Sequence, residues 1–172
     1  MIVLLVTTSP NSVRNVLSNM TGVELLTIEC TPPLEITKRK LAKFITSTPI
    51  DLIITYRCPL IIPQSIYSRV TIGAFNIHPS LLPMYAGLNP WEAMFEAGET
   101  GGGVTIHRLN PTPDTGKIVM QESFRFPNPL DINTARDESD RLAAKMIVIL
   151  MEKLLNQKNA KMNHTPGSGF HS

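Results

Sequence analysis

The sequence predicts an α/β fold in which a mostly parallel sheet is flanked by helices. Residues 2–6, 23–28 and 51–56 are apolar runs, each of a length suited to a buried strand. A segment with apolar residues at helical spacing follows the first run, and another follows the second. Strands that are apolar throughout and alternate with helices are typical of parallel sheets covered on both faces.

Two helices, a fourth strand and a hairpin are predicted in order along the chain. Residues 9–20 and residues 34–47 are the helical segments, because their apolar positions recur at helical spacing. Residues 71–76 should add the next strand. Two strand-like runs, at 103–109 and 117–126, enclose the turn-rich "NPTPDTG", so we expect them to pair as a hairpin with a long loop.

The clearest predicted helix spans residues 134–157, where Thr134 and Asp137 match a capping box. Its apolar stripe consists of Leu142, Met146, Ile149, Leu150 and Leu154. Residues 159–172 are polar and contain glycine, so we expect a flexible tail. A length of 172 residues suits a single domain, and we expect residues 1–172 to form one.

The composition argues against several classes of protein. A net charge of +2 gives no reason to expect nucleic acid as a partner. The apolar start of the chain is too short for a signal peptide or a membrane span, so we expect a cytoplasmic protein without a membrane partner. Cys30 and Cys58 lack metal-binding or redox spacing, which favours reduced thiols and no metal site.

The segment "FNIHPSLLP", residues 75–83, carries the most informative polar residues. The two-residue period of a strand puts Asn76 and His78 on one side, at the carboxyl end where open α/β sheets bind ligands. A lone histidine at such a position more often satisfies loop backbone groups. Asp114, held between prolines and a glycine, weakens that interpretation, because a nearby carboxylate raises the pKa of an imidazole and sets its tautomer.

Asparagine, histidine and aspartate together suit acyl transfer without a covalent enzyme intermediate. The amide and the imidazolium can donate hydrogen bonds to a developing oxyanion, while the carboxylate orients the imidazole and assists proton transfer. Ser80 lacks the setting of a nucleophile elbow, so we expect it to stabilise the loop. His107 is more typical of a structural histidine, and Arg57 should lie at the ligand edge without a role that periodicity can assign.

Three other patterns do not carry the function with which they are usually associated. The glycine-rich "GETGGG" lacks the lysine ending of a phosphate loop and precedes a strand. The tripeptide "DTG" follows "NPTP" instead of the apolar strand that an aspartic protease requires. The turn "TTSPNS" has no G-x-G-x-x-G, which argues against a nicotinamide dinucleotide.

The motifs "FNIHPSLLPMYAG", "GVTIH" and "PDTGKIVMQ" closely resemble the folate-dependent formyltransferase family, most strongly from Asp51 to about Gln121. That family includes glycinamide ribonucleotide, methionyl-tRNA and sugar N-formyltransferases. The resemblance implies a single Rossmann-like formyltransferase domain. It also implies transfer of a formyl group from 10-formyltetrahydrofolate to a primary amine.

By position, the resemblance assigns Asn76, His78 and Asp114 to the family's catalytic triad. The segment "CPLIIP" resembles the loop whose backbone cradles the pterin, which makes Leu60, Ile61 and Ile62, together with Pro113 and Asp114, the implied cofactor-binding residues. The resemblance further makes the Leu82–Pro83 peptide bond a candidate for the cis form.

The acceptor is less defined. The first turn is not glycine-rich, which argues against glycinamide ribonucleotide, and "GLNPWEA" resembles the branch with methionyl-tRNA and sugar enzymes. Because the chain ends after one final helix and is nearly neutral, we do not expect tRNA as a partner. Ala86 stands where that branch usually has arginine. The segment between the first strand and Asp51 is short, so the acceptor site is expected to be either open or completed by the second subunit of a homodimer. We expect a small amine, such as an amino sugar nucleotide or an amino-acid-like metabolite.

Other acceptors and functions stay open at this stage. Glycinamide ribonucleotide is one, and water, which would make the protein a formyl-folate hydrolase, is another. A catalytically silent folate-binding protein is the third alternative. The intact set of Asn76, His78 and Asp114 argues against the silent protein but does not separate a transferase from a hydrolase.

Overall fold

The computed structural model describes residues 1–8, 11–126 and 131–163, with side chains up to residue 161. The described residues build one six-stranded sheet in the order β2-β1-β3-β4-β5-β6. The strands are β1 (Ile2–Thr7), β2 (Glu24–Glu29), β3 (Leu52–Tyr56), β4 (Gly73–His78), β5 (Gly101–Arg108) and β6 (Ile118–Arg125). The helices are α1 (Ser12–Ser18), α2 (Leu34–Ser47), α3 (Gln64–Tyr67), α4 (Pro90–Glu96) and α5 (Ile132–Asn163).

The first four strands form the parallel part of the sheet. Strand β1 pairs in parallel with β2 and β3, and β3 pairs in parallel with β4. Strands β4 and β5 are antiparallel, as are β5 and β6. The predicted α/β fold, its mostly parallel sheet and the predicted hairpin are therefore confirmed. The β4 strand continues to His78, so both polar residues of "FNIHPSLLP" lie within the strand.

Side chains on alternate positions of the strands fill two separate core layers. Val3 and Leu5 pack with apolar residues of α1 and α5 on one face of the sheet. Leu4 and Val6 face the opposite layer, where they pack with Leu41 of α2. These four side chains of β1 are fully buried, which explains why residues 3–6 are apolar without interruption.

Two predictions about the last helix are wrong. The cap is Asp131, whose Oδ2 accepts hydrogen bonds from the backbone N–H and the hydroxyl of Thr134 at 2.9 and 2.7 Å, so the predicted capping box with Asp137 does not form. The helix also extends to Asn163, which puts residues 159–163 in helix instead of a flexible tail. An ion pair of Lys158 with Asp51 at 2.9 Å attaches this last part of the helix to the sheet. Residues 164–172 lie outside the described residues.

Several smaller observations complete the description. The Leu82–Pro83 peptide bond is cis, as the resemblance implies. Cys30 and Cys58 are free, with their Sγ atoms 3.1 Å apart. Within the described ranges, no helix has both the length and the apolar character that crossing a membrane requires.

Candidate active site

The predicted site lies at the carboxyl end of the parallel strands. Strand register places Asn76 of β4 beside Thr55 of β3, and His78 follows two residues later on the same side of β4. His78 is 5% exposed, so its imidazole is almost removed from solvent. The antiparallel neighbour β5 places His107 directly opposite Asn76.

Asp114 lies in the loop between β5 and β6 and completes the cluster. Its φ of 56° is in the left-handed region, which aspartate tolerates better than most residues. Its Oδ1 lies 3.4 Å from Asn76 Nδ2, 3.6 Å from His78 Nδ1 and 3.5 Å from His107 Nε2. Its Oδ2 accepts a hydrogen bond from the Gly87 N–H at 2.8 Å. The structure therefore brings the three predicted catalytic side chains together, and it adds His107.

The Asp114 loop is shaped by a close backbone approach. A side chain on Gly116 would collide with the carbonyl oxygen of Arg108, and it would also come within 3.1 Å of His107 Nδ1. Only glycine allows the loop to return to β5 at this point. The glycine of "PDTG" therefore helps to fix the position of the carboxylate two residues before it.

Hydrogen bonds set the orientation of Asn76. The Thr55 hydroxyl donates to Asn76 Oδ1 at 2.7 Å, so the amide nitrogen is directed toward His107 and Asp114. His107 Nδ1 donates to the carbonyl of Arg108 at 2.9 Å, which leaves its Nε2 to accept from Asn76 Nδ2 at 3.1 Å. His107 is 1% exposed, and its hydrogen bond helps to hold the Asn76 amide in a fixed orientation. This contact agrees with its predicted hydrogen-bonded role but places it within the candidate site.

The backbone of the following loop fixes His78. Its Nε2 lies 2.9 Å from the carbonyl oxygen of Tyr85, which can only accept, so Nε2 carries the hydrogen. In the neutral ring, Nδ1 is then a free lone pair that faces Asp114. Tyr85 adopts a left-handed φ of 55°. Tyr85 and Gly87 flank the exposed Ala86, so both neighbours of that residue contact the site through backbone atoms.

Ser80 has the loop-stabilising role that was predicted for it. Its hydroxyl donates to the carbonyl of Met84 at 2.7 Å, while its own carbonyl accepts from the Thr105 hydroxyl at 2.6 Å. Thr105 Oγ1 also accepts from the Leu82 N–H at 3.1 Å. The fully buried Ser80 therefore ties the loop to itself and to β5.

Burial dominates the protonation of His78. Burial lowers the pKa of His78 and outweighs the Tyr85 carbonyl and the Asp114 charge, both of which raise that pKa. Asp114 thus raises the pKa of His78, as the sequence predicts, but the net shift of that pKa is downward. His78 is therefore neutral at pH 7. Burial alone would raise the pKa of Asp114, but His107, the charge that His78 carries when it is protonated, and the Gly87 N–H together lower it, so Asp114 is ionised at pH 7.

A cavity of about 410 Å³ opens beside this cluster, a volume in the range of small-molecule sites. All of the predicted site residues line it: Leu60, Ile61, Ile62, Asn76, His78, Pro113 and Asp114. Leu60 and Ile62 bury their side chains in the core layer of α2, whereas Ile61 is 59% exposed. Two of the three side chains of residues 60–62 therefore belong to the core, and Ile61 has the exposed side chain of the segment.

The cavity is also lined by residues for which the sequence predicted no chemical role. Arg57 lines it, as its predicted position at the ligand edge requires, and Trp91 lines it from α4. Thr55 is the polar residue that interrupts the apolar run of β3, and this interruption was the available signal for its role. No comparable signal marks Trp91, because a single aromatic residue in a short helix is common in cores.

The formyl transferase family model matches residues 1–151 of the chain. The chain belongs to the formyl transferase family. A methionyl-tRNA formyltransferase of Herminiimonas arsenicoxydans is 35% identical over 122 residues, which is 70% of this chain and 37% of that protein. A methionyl-tRNA formyltransferase of Thermotoga neapolitana is 30% identical over 129 residues, which is 75% of this chain and 41% of that protein. The matched regions thus span about two fifths of these curated relatives.

Solved structures of this family share the fold. The phosphoribosylglycinamide formyltransferase of Bacillus halodurans superposes with a TM-score of 0.71 at 19% identity, covering 90% of this chain and 95% of that one. The formyltransferase PseJ of Anoxybacillus kamchatkensis was solved with UDP-4,6-dideoxy-4-formamido-L-AltNAc and tetrahydrofolate. It superposes with a TM-score of 0.69 at 22% identity, covering 90% of this chain and 76% of that one.

Proposed function

We propose that this chain transfers a formyl group from 10-formyltetrahydrofolate to a primary amine of a small substrate. The observation that carries the proposal is the convergence of Asn76, His78 and His107 within 3.4–3.6 Å of one carboxylate oxygen of Asp114. An amide donor, a buried neutral imidazole and an ionised carboxylate beside one cavity are the groups that direct acyl transfer to an amine requires.

The cavity suits the pterin of the donor on one side of this cluster. Residues 60–62 line it on one side, and Leu88 and Leu109 supply apolar wall. Pro113 and Asp114 close the same space from the β5–β6 loop. Ligand sites of this kind combine apolar walls with a few directed polar groups. When bound, 10-formyltetrahydrofolate would supply the formyl carbon and the nitrogen that leaves it.

Each polar side chain then has a distinct task. Asn76 Nδ2 donates a hydrogen bond to the formyl oxygen as that oxygen gains negative charge. His78 accepts, at the free Nδ1, the proton that the attacking amine loses, and it later delivers that proton to the departing nitrogen. Asp114 stabilises the imidazolium that exists between these two transfers. Thr55 and Tyr85 hold the amide and the imidazole in place through hydrogen bonds of 2.7 and 2.9 Å.

For the acceptor, we propose a small amine. Methionyl-tRNA formyltransferases resemble the chain in sequence, but a net charge of +2 gives no reason to expect a nucleic acid as the acceptor. A formyltransferase solved with a nucleotide-linked formamido sugar and tetrahydrofolate has the same fold. An amino sugar nucleotide or an amino-acid-like amine therefore stays our first choice of acceptor.

The test is to incubate the protein with 10-formyltetrahydrofolate and a panel of amines while tetrahydrofolate release is followed by absorbance. We expect release that depends on the amine, with the formylated amine detected by mass spectrometry. Equal release without any amine would instead identify water as the acceptor. Absence of release with every acceptor would refute the transferase.

A further inference from the structure

Arg57 occupies an unusual position between the candidate active site and α5. It directly follows β3, and strand register pairs the preceding residue, Tyr56, with Ile77, so Arg57 lies where β4 reaches His78. Its φ of 49° is in the left-handed region, which is uncommon for a residue with a long side chain. Arg57 lines the cavity, and its side chain is 31% exposed.

The guanidinium group is held in place but keeps free donors. In the described part of the chain, its one hydrogen-bond acceptor is Asp140 Oδ2, at a long distance of 3.5 Å. The other carboxylate oxygen of Asp140 accepts from the hydroxyl of Tyr56. The Arg57 Cζ lies 5.6 Å from the ring centroid of Trp91, within cation–π range. Because a guanidinium has five N–H donors, most of them are available to a ligand.

Arg57 also determines the charge distribution of the cavity. Among the described residues that line it, Arg57 is the sole lysine or arginine and Asp114 the sole aspartate or glutamate. The nearby Arg136 is not among the lining residues and forms an ion pair with Glu92, whereas Arg57 lines the cavity and meets the carboxylate of its ion-pair partner Asp140 at 3.5 Å. A ligand in this cavity therefore meets a negative charge beside His78 and a positive charge beside Trp91.

We infer that Arg57 binds a carboxylate or phosphate group of the amine acceptor. This inference rests on the proposed function. The amine would lie beside His78 and Asp114, and the acidic group of the same molecule would contact the guanidinium. Arginine suits this task because its planar fork matches the oxygens of a carboxylate or phosphate. The acceptor class is thus an amine that also carries an acidic group.

The formyl donor is a second source of the same chemistry, because the glutamyl part of a folate carries carboxylates. We assign the anion to the acceptor because Arg57 lies where β4 reaches His78, the residue proposed to take the proton of the amine. Arg57 lies beside the strand that bears Asn76 and His78, on the Trp91 side of the cavity. The experiment must nevertheless separate the two sources.

Trp91 provides a direct assay, because it is the single tryptophan of the protein. Its fluorescence can be titrated with two matched pairs of amines: glucosamine 6-phosphate with glucosamine, and alanine with alaninamide. In at least one pair we expect the acidic member to bind about tenfold or more tightly, since a hydrogen bond between charged groups contributes at least that factor. Equal binding within both pairs, or no change in emission with any of the four, would overturn the inference.

Variants assign the preference to the side chain. Arg57→Gln should abolish it, and Arg57→Lys should retain part of it, because the charge stays while the fork is lost. Arg39→Gln on the exposed face of α2 removes the same charge away from the cavity and should retain the full preference. Circular dichroism would verify that each variant is folded. A preference that survives in folded Arg57→Gln would overturn the inference.

Steady-state kinetics distinguish an acidic group of the acceptor from one of the formyl donor. They also test the Arg57 subsite and the proposed transferase separately. If Arg57→Gln raises KM for the formyl donor and leaves the preference among amines intact, the anion belongs to the donor and the inference is overturned. If acidic amines bind through Arg57 but no amine releases tetrahydrofolate, the subsite stands and the proposed transferase fails. If all amines are formylated with equal efficiency, the transferase stands and the subsite fails.

Discussion

Replacing Asp114 with asparagine removes a charge from the candidate site with little change of shape. Its Oδ1 lies 3.6 Å from Nδ1 of His78. Two unit charges at such a distance attract each other by roughly 4–5 kcal/mol at an effective dielectric constant of about 20. General acid–base catalysis contributes about 10²–10⁴-fold, or roughly 3–5 kcal/mol, so the two magnitudes agree. We expect kcat/KM to fall by about 10²–10⁴-fold.

The same substitution should also change the pH dependence in a defined direction. The charge of Asp114 raises the pKa of His78, so its loss lowers that pKa further. The acid limb of the pH–rate profile, where neutral His78 becomes protonated, should therefore move to lower pH. Tetrahydrofolate release measured across a range of pH provides the profile.

Asp131→Asn is the matched control for this experiment. It makes the same chemical change at the exposed cap of α5, where asparagine is an equally good cap, and should leave the profile unchanged. The reasoning would be refuted by an Asp114→Asn variant that keeps the wild-type rate and the wild-type acid limb.

Three further predictions concern the support of the site and the fold. Thr55→Val loses the 2.7 Å hydrogen bond that orients Asn76, so kcat should fall about tenfold with KM nearly unchanged; a change in KM alone would contradict this. Leu41→Ala empties a fully buried position and should lower the free energy of unfolding by about 2–5 kcal/mol in urea titrations. The pKa of His78 is lower in the folded state than its ordinary value of 6.5, so protonation favours the unfolded chain. The free energy of unfolding is therefore highest above pH 6.5 and falls as the pH decreases from 6.5 toward the lowered pKa. His78→Gln should remove this part of the pH dependence, and an unchanged dependence would show that other groups cause it.

Local rules explain why much of the fold was predictable. Strand β1 is buried on both faces, so every residue from Val3 to Val6 is apolar and the run is visible in the sequence. The two-residue period of β4 likewise placed Asn76 and His78 on one side at the carboxyl end of the strand. These features depend on neighbours within a few residues, which is the range that a sequence pattern can report.

The remaining features depend on contacts between distant segments. His107 joins the cluster because antiparallel pairing places it opposite Asn76, and periodicity cannot supply that register. The net pKa of His78 is lowered because burial outweighs the Asp114 charge, and burial is a property of the whole fold. The extension of α5 is likewise accompanied by an ion pair between Lys158 and Asp51 that no local pattern indicates.

The most direct test of the central claim compares the wild type with His78→Ala. Both proteins are incubated with 10-formyltetrahydrofolate and the best acceptor amine, and formylated amine and tetrahydrofolate are measured together. We predict one formylated amine for each tetrahydrofolate released by the wild type, and a rate that is about 10²–10⁴-fold lower in folded His78→Ala. A His78→Ala variant that formylates the amine at the wild-type rate would contradict the assignment of His78 as the proton acceptor.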